Sequence, residues 1–297
     1  MTGTEVEHLD LALPHLNIHA LAWGPADGRL VLLLHGYPDS AWTWRHLGPA
    51  LAQRGYRVVA PFSRGYAPTD LPADDDYHVG ALMFDAIALK NELGGGDDTV
   101  LIGHDWGGIT AYSLAAYPDR PFGALVSIGV PLLAGMGPQS NLAQWLAVVP
   151  GQLRRSWYVF YQQIPGLAER QLDRIVPTLW RQWCLPGFDS RESLADVWAA
   201  LPDLRRRRAA VSYYRAAARP GPAAPPYRHL QRYVGAKPVH PMLFIYGRDD
   251  GAVEPRLAEM SAQSLAAGSR VEKITEAGHF MHLDQQDRIL AILDDYL

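Results

Sequence analysis

The chain has 297 residues, 48% hydrophobic and 20% charged, with a formal net charge of -4 when its 11 histidines are neutral. That length can bury one large core and still carry a second structural layer, and the nearly balanced charge implies no nucleic acid or other polyanion as partner. The single cysteine, Cys184, excludes an intrachain disulfide and a cysteine-based zinc site, which suits a reducing compartment such as the cytoplasm.

Residues 1–10 lack the basic stretch and apolar run of a leader, and apolar runs such as 30–34 are far too short to span a bilayer, so no membrane segment is expected. Residues 6–23 alternate well enough for an antiparallel hairpin at one sheet edge. Short apolar, β-branched runs at 30–35, 56–62, 99–104, 123–130, 241–247 and 270–277 read as strands buried on both faces. Helical stretches at 42–54, 78–93 and 106–117 lie between them, which predicts an α/β fold with a mostly parallel sheet flanked by helices. From 132 to 233 aromatic-rich and arginine-rich segments replace the strand signals, predicting a helical cap inserted between two parts of the core, 1–131 and 234–297. Inside it, Arg205 to Arg208 read as a solvated or salt-bridged helix face rather than a nucleic-acid patch. Pro220, Pro222, Pro225 and Pro226 mark the exit, as an extended linker back to the sheet.

The segment Gly103-His104-Asp105-Trp106-Gly107-Gly108 falls between a strand and a helix and has the form G-x-nucleophile-x-G, with Asp in the central place. A sharp turn there holds Asp105 in a strained conformation, and the flanking glycines remove side chains that would clash. A carboxylate at a helix N-terminus is already an anion, so it can attack an sp³ carbon and form an alkyl-enzyme ester without a base to activate it. The bland alternative, a helix N-cap, does not account for the whole strand-turn-helix context, and no G-x-S-x-G occurs in the chain to compete.

Two later segments, Gly247-Arg248-Asp249-Asp250 and Ala277-Gly278-His279-Phe280, supply an acid and a histidine in the order this fold delivers them. An earlier one, His35-Gly36-Tyr37-Pro38, follows the strand at 30–34. Together these segments resemble the epoxide hydrolases of the α/β-hydrolase fold, the aspartate-nucleophile branch shared with haloalkane dehalogenases, and the resemblance covers nearly the whole chain. It implies Asp250 as the acid orienting His279, His279 as the base for water, a cis peptide at Pro38, and an oxyanion hole from the backbone N–H groups of Tyr37 and Trp106. Asp249 is the solvated neighbour. His282 lacks the preceding glycine turn, and pairing it with His279 as a metal site leaves no evident third ligand, so no metal or cofactor is expected.

Opening an epoxide produces a basic alkoxide, which a phenol with pKa near 10 can protonate. In Trp157-Tyr158-Val159-Phe160-Tyr161 and Ser212-Tyr213-Tyr214-Arg215, the resemblance places Tyr158 and Tyr214 on the family's two epoxide-activating tyrosines, although Ser212 replaces the common asparagine. Tyr161 and Tyr213 are the packing alternatives. Arg64-Gly65-Tyr66 also matches, with Phe62-Ser63 in place of the usual acidic residue, and reads as structural. Trp145, Trp157, Trp180, Trp183 and Trp198 suggest an apolar cap and a small, largely apolar epoxide as substrate, in a chain that could act as a homodimer. A haloalkane dehalogenase would commonly have Asn at position 37, and a fluoroacetate dehalogenase Arg at position 106. A small-molecule receptor on this scaffold is the reading from another class, and Asp105, Asp250 and His279 show no lesion that would favour it.

Overall fold

The computed structural model describes residues 5–132, 142–219 and 221–297. Eight strands form one sheet in the order β1-β2-β4-β3-β5-β6-β7-β8. β1 (Glu7–Leu13) and β2 (Leu16–Trp23) make the expected edge hairpin, registered from Glu7 opposite Ala22 to Leu13 opposite Leu16. β2 joins β4 (Arg57–Pro61) antiparallel, and β4, β3 (Leu30–Leu34), β5 (Val100–His104), β6 (Ala124–Ile128), β7 (Leu243–Gly247) and β8 (Arg270–Ile274) run parallel. Every residue of β3, β5 and β7 is buried, which is why these strands read as unbroken apolar runs. β8 departs from the expectation of burial on both faces. It pairs only with β7, at the sheet edge, and has just two apolar residues, Val271, which is exposed, and Ile274, which is buried.

Helices α2 (Val79–Glu92) and α3 (Trp106–Ala116) cover the sheet much as predicted. The single helix expected at 42–54 is instead a 3-10 turn at Ala41–Trp44 followed by α1 (Leu47–Ala52). Ser40 caps the turn by accepting the Trp42 N–H, and Pro49 sits in the first turn of α1, where a missing N–H breaks no helical bond.

Between β6 and β7 come α4 (Leu142–Arg155), α5 (Trp157–Tyr161), α6 (Leu172–Trp183), α7 (Arg191–Ala200), α8 (Leu204–Ala218) and α9 (Arg228–Gln231). Asp203 caps α8 by accepting the Arg206 N–H at 2.9 Å. The arginine cluster at the start of α8 fastens it to its surroundings: Arg206 donates to Thr69 O, Arg208 pairs with Asp75 and Arg207 lies over the Trp198 ring. Pro220 lies outside the described residues, and the exit is not extended throughout, because Pro225 opens a 3-10 turn, Pro225–Tyr227, that leads into α9. After β7 the chain adds α10 (Pro255–Ala262), α11 (Met281–Asp284) and α12 (Gln286–Tyr296). Arg64, wholly buried, donates to both oxygens of Asp85 at 2.6 and 2.7 Å and to Asp76 O, a structural fastening. Among the described residues no helix is long and apolar enough to cross a membrane. Because β3, β5, β7 and β8 are parallel, the loops that follow them open on the same edge of the sheet.

Candidate active site

Asp105 stands between β5 and α3 with φ 51° and ψ -115°, a conformation that non-glycine residues rarely hold. Its backbone is fixed on both sides, the N–H donating to Ile128 O at 3.1 Å and the C=O accepting from Ile109 N at 2.8 Å. The glycines around it leave no room for a Cβ: at Gly103 one would stand 2.6 Å from Gly108 N, and at Gly107 2.7 Å from Leu34 Cβ. Gly36, to which the sequence reading gave no role, is equally constrained, since its Cβ would stand 2.7 Å from Asp105 Cγ and closer still to Oδ1. The loop after β3 therefore passes directly against the Asp105 carboxylate.

That approach lets Tyr37 N–H donate to Asp105 Oδ1 at 2.7 Å, and the Tyr37–Pro38 peptide is cis. Trp106 opens α3, so its N–H has no acceptor within the helix. Asp105 Oδ2 lies 3.7 Å from His279 Nε2, and His279 Nδ1 lies 2.9 Å from Asp250 Oδ2. The other Asp250 oxygen accepts from Ala252 N and Val253 N at 2.7 and 2.9 Å, which pins the carboxylate, while His279 N–H donates to Trp183 O at 2.8 Å. Burial opposes a charge on His279, but the Asp250 and Asp105 carboxylates outweigh it and raise its pKa to about 10. The two carboxylates on either side thus favour the charged imidazole.

Asp249 is exposed, as expected, and accepts from Glu276 N. His282 does not reach Asp105. Its Nε2 lies 2.6 Å from Thr43 Oγ1, and burial, then the charge on His279, lowers its pKa to about 3. The fold groups it not with His279 but with Asp39 and His104, whose donor atoms and its own lie within 4.8 Å of one another; this is the group found among the described residues that could approach a metal ion. None of the three lines the cavity in front of Asp105.

A cavity of about 410 Å³ faces Asp105, Trp106 and His279, and Tyr158 and Tyr214 both line it. Their rings meet edge to face with centroids 5.5 Å apart, and Tyr214 also packs edge-on against Trp106 at 5.0 Å. Burial raises the pKa of both phenols, and the Asp105 charge adds to the effect. Each hydroxyl is close enough to affect the other's ionisation, and that of Tyr214 bonds to no further group. The neighbouring tyrosines are committed elsewhere: Tyr213 donates to Arg64 O at 2.8 Å and Tyr161 to Gln171 Oε1 at 2.7 Å. Arg215, next to Tyr214, donates to Gln162 O at 2.9 Å and to Glu169 Oε1 at 2.5 Å, locking α8 to the turn that follows Tyr158. Neither this clamp nor the wholly buried Gln162 beside the Tyr37 hydroxyl was read from the sequence.

The five tryptophans expected to make the cap apolar do not line the cavity. Trp180 stacks on Phe280 at 3.8 Å and donates to Pro38 O, and Trp183 packs edge-on against His279 at 5.0 Å. The apolar walls come from Ile109, Val130, Val234, Val253 and several alanines.

The family model described as alpha/beta hydrolase fold matches residues 29–286. The chain belongs to the α/β-hydrolase fold family. It is an epoxide hydrolase-like hydrolase. Among its relatives, this α/β hydrolase is 28% identical over 293 residues to the AB hydrolase superfamily protein YfhM of Bacillus subtilis, covering 95% of this chain and 94% of the relative. It is 28% identical over 294 residues to Epoxide hydrolase 3 of Xenopus tropicalis, covering 95% and 75%. The crystal structure of Epoxide Hydrolase A from Mycobacterium thermoresistibile superposes with a TM-score of 0.76 at 23% identity, covering 99% of this chain and 98% of that one, a likeness of fold.

Proposed function

We propose that this α/β hydrolase opens small, largely apolar epoxides to vicinal diols through a covalent ester on Asp105. The observation that carries the reading is the division of labour around one carboxylate: Oδ1 is held by the Tyr37 N–H, Oδ2 faces His279 Nε2, and two phenols share the cavity with it. Oδ2 attacks a ring carbon, the C–O bond breaks, and the leaving oxygen takes a proton from Tyr158 or Tyr214. The ester removes the charge of Asp105, and with it one of the two anions that keep His279 protonated. His279 can then give up its proton, which restores the phenol, and accept one from water as that water attacks Asp105 Cγ. Negative charge develops on Oδ1, where the Tyr37 and Trp106 N–H groups receive it, a contribution of roughly 3 kcal/mol for each donor. Collapse of this intermediate releases the diol and the carboxylate, and no cofactor takes part. The names of relatives such as Epoxide hydrolase 3 support the reading, in which the helices inserted at 132–233 serve as a cap over the core.

A dehalogenase reading has one observation in its favour: Trp106 Nε1, buried at the cavity without a partner, could donate to a halide. One experiment separates the two. His279→Gln should still form the ester but fail to hydrolyse it, so intact-protein mass should rise by the whole mass of an epoxide, or by the mass of a haloalkane less hydrogen halide. In the wild type, one turnover in heavy-oxygen water should deliver an oxygen from Asp105 into the diol. Solvent label in that first diol, with no adduct on the glutamine variant, would replace the covalent route by direct attack of water.

A further inference from the structure

Away from Asp105 the cavity carries a polar pair that the reaction does not use. His78, immediately before α2, and Gln231, the last residue of α9, both line it. The His78 ring is fixed by Asp76, whose Oδ1 lies 2.8 Å from Nδ1 and also accepts the His78 backbone N–H at 2.8 Å. Asp76 is itself buried, and its second oxygen accepts from Ala224 N at 2.6 Å. Because the carboxylate only accepts, Nδ1 bears a hydrogen, and in that tautomer it is Nε2 that offers the lone pair. That Nε2 is buried and has no protein partner.

Gln231 is held in the opposite sense. Its Oε1 accepts from Gly80 N at 2.7 Å, so its remaining polar group is the donating NH₂. Gly80 lies two residues beyond His78, and a Cβ on it would stand 2.9 Å from Gln231 Oε1, so the glycine permits an approach that brings acceptor and donor to the same corner. A hydroxyl, which both donates and accepts, is their complement. Between this corner and the elbow the walls are apolar, with Ile109 one helical turn along α3 from Asp105, and Val79, Val234 and Ala216 beyond it.

Charge decides against an anion here. On the other side of His78 and Ala216, Asp74, Asp75 and Asp76 wall a surface depression of about 370 Å³. The nearby cations are already engaged, Arg208 with Asp75, Arg215 with Glu169 and Arg64 with Asp85. A carboxylate brought to His78 would face these aspartates, and Arg208, Arg215 and Arg64 already hold carboxylates of the protein.

We propose that the cavity takes an epoxide with a hydroxyl at the end of its chain remote from the ring, the hydroxyl donating to His78 Nε2 and accepting from the Gln231 amide. This rests on the epoxide reading of the same site. The test uses straight-chain terminal epoxides in a series of lengths, each offered in three forms that end in CH₂OH, in CH₂CH₃ or in a carboxylate. At the fitting length the hydroxyl form should lead the alkyl form about tenfold in kcat/KM, mostly through KM. His78→Leu should bring that ratio close to one, and because both substrates are measured on the same protein, a general loss of folding cancels. Calorimetry with the products supplies a readout independent of turnover: the wild type should bind the triol about tenfold more tightly than the matching diol, and His78→Leu should not. Turnover of none of the epoxides would defeat the epoxide reading. Equal kcat/KM for the hydroxyl and alkyl forms, preference for the carboxylate form, a ratio untouched by His78→Leu, or equal binding of triol and diol would each overturn the hydroxyl site alone.

Discussion

Replacing Gly36 by Ala tests how closely the Asp105 carboxylate depends on the backbone that passes beside it. The added Cβ would stand 2.7 Å from Asp105 Cγ, with Asp105 Cβ and Oδ1 nearer still. Ordinary carbon contacts begin at about 3.5 Å, so one side must give way by roughly 0.8 Å or more. The Asp105 backbone cannot move without breaking its bonds to Ile128 O and Ile109 N, so the loop should shift and take the Tyr37 N–H away from Oδ1. A displacement of about an ångström at a reacting group can cost on the order of a hundredfold in rate, and overpacking costs about 1 to 3 kcal/mol of stability. Gly36→Ala should therefore lose roughly a hundredfold or more in kcat on an epoxide that the wild type accepts, with a melting point lower by a few degrees. Gly55→Ala is the companion variant, because Gly55 has φ +89° and nothing within 4 Å, so it should lose stability without losing rate. If Gly36→Ala keeps kcat within about threefold of the wild type, or loses rate only as far as Gly55→Ala does, the carboxylate is not held by this contact.

Tyr158→Phe and Tyr214→Phe should each slow ester formation by roughly 10- to 100-fold and the double variant should lose nearly all epoxide turnover, as rapid-quench kinetics can measure; full activity of the double variant would make both tyrosines packing residues. His279 has a folded-state pKa raised above its ordinary 6.5 to about 10, so its contribution to stability is complete below about 6.5 and is lost as pH rises to about 10. Asp105→Asn removes one of the two carboxylates responsible, so NMR titration of the His279 imidazole should move downward and the loss of stability, which still begins near 6.5, should be smaller and complete at lower pH; an unchanged titration would mean that Asp105 does not hold the proton there. Arg215→Met leaves Glu169 unpaired in a largely buried place and should cost on the order of 2 kcal/mol by urea unfolding, with a slower ester-forming step because Tyr214 is no longer tied to the turn after Tyr158.

Strands buried on both faces were legible because burial imposes an apolar run, as in Leu30–Leu34 and Leu243–Gly247. Arg270–Ile274 was misread because its two apolar residues fall on opposite faces of an edge strand, Val271 exposed and Ile274 buried. At the elbow the spacing of glycines fixed a backbone turn and hence the direction of one side chain, so Asp105 could be placed from sequence. Asp250 and His279 followed from chain order and resemblance. Sequence does not say which way an aromatic residue in a helical insertion faces: of the five tryptophans expected to make the insertion apolar, Trp180 and Trp183 pack against core loops, whereas Trp157 and Trp198 meet Tyr158 and Arg207 within the insertion. The Arg215–Glu169 clamp and the His78–Gln231 corner join residues 46 and 153 positions apart through contacts that leave no local pattern.

Asp105, Asp250 and His279 hang from loops after β5, β7 and β8, whereas Tyr158 and Tyr214 arrive on helices spliced between β6 and β7. The two sets of side chains thus come from separate stretches of chain, so a graft of the insertion from another hydrolase would bring different groups over the same carboxylate. The seam of such a graft would not be neutral ground. His279 N–H is anchored on Trp183 O, at the end of α6, and Trp180 reaches back to Pro38 O beside the cis peptide. A transplanted insertion whose backbone did not bring a carbonyl to the place of Trp183 O would come with its own phenols and leave the histidine unseated.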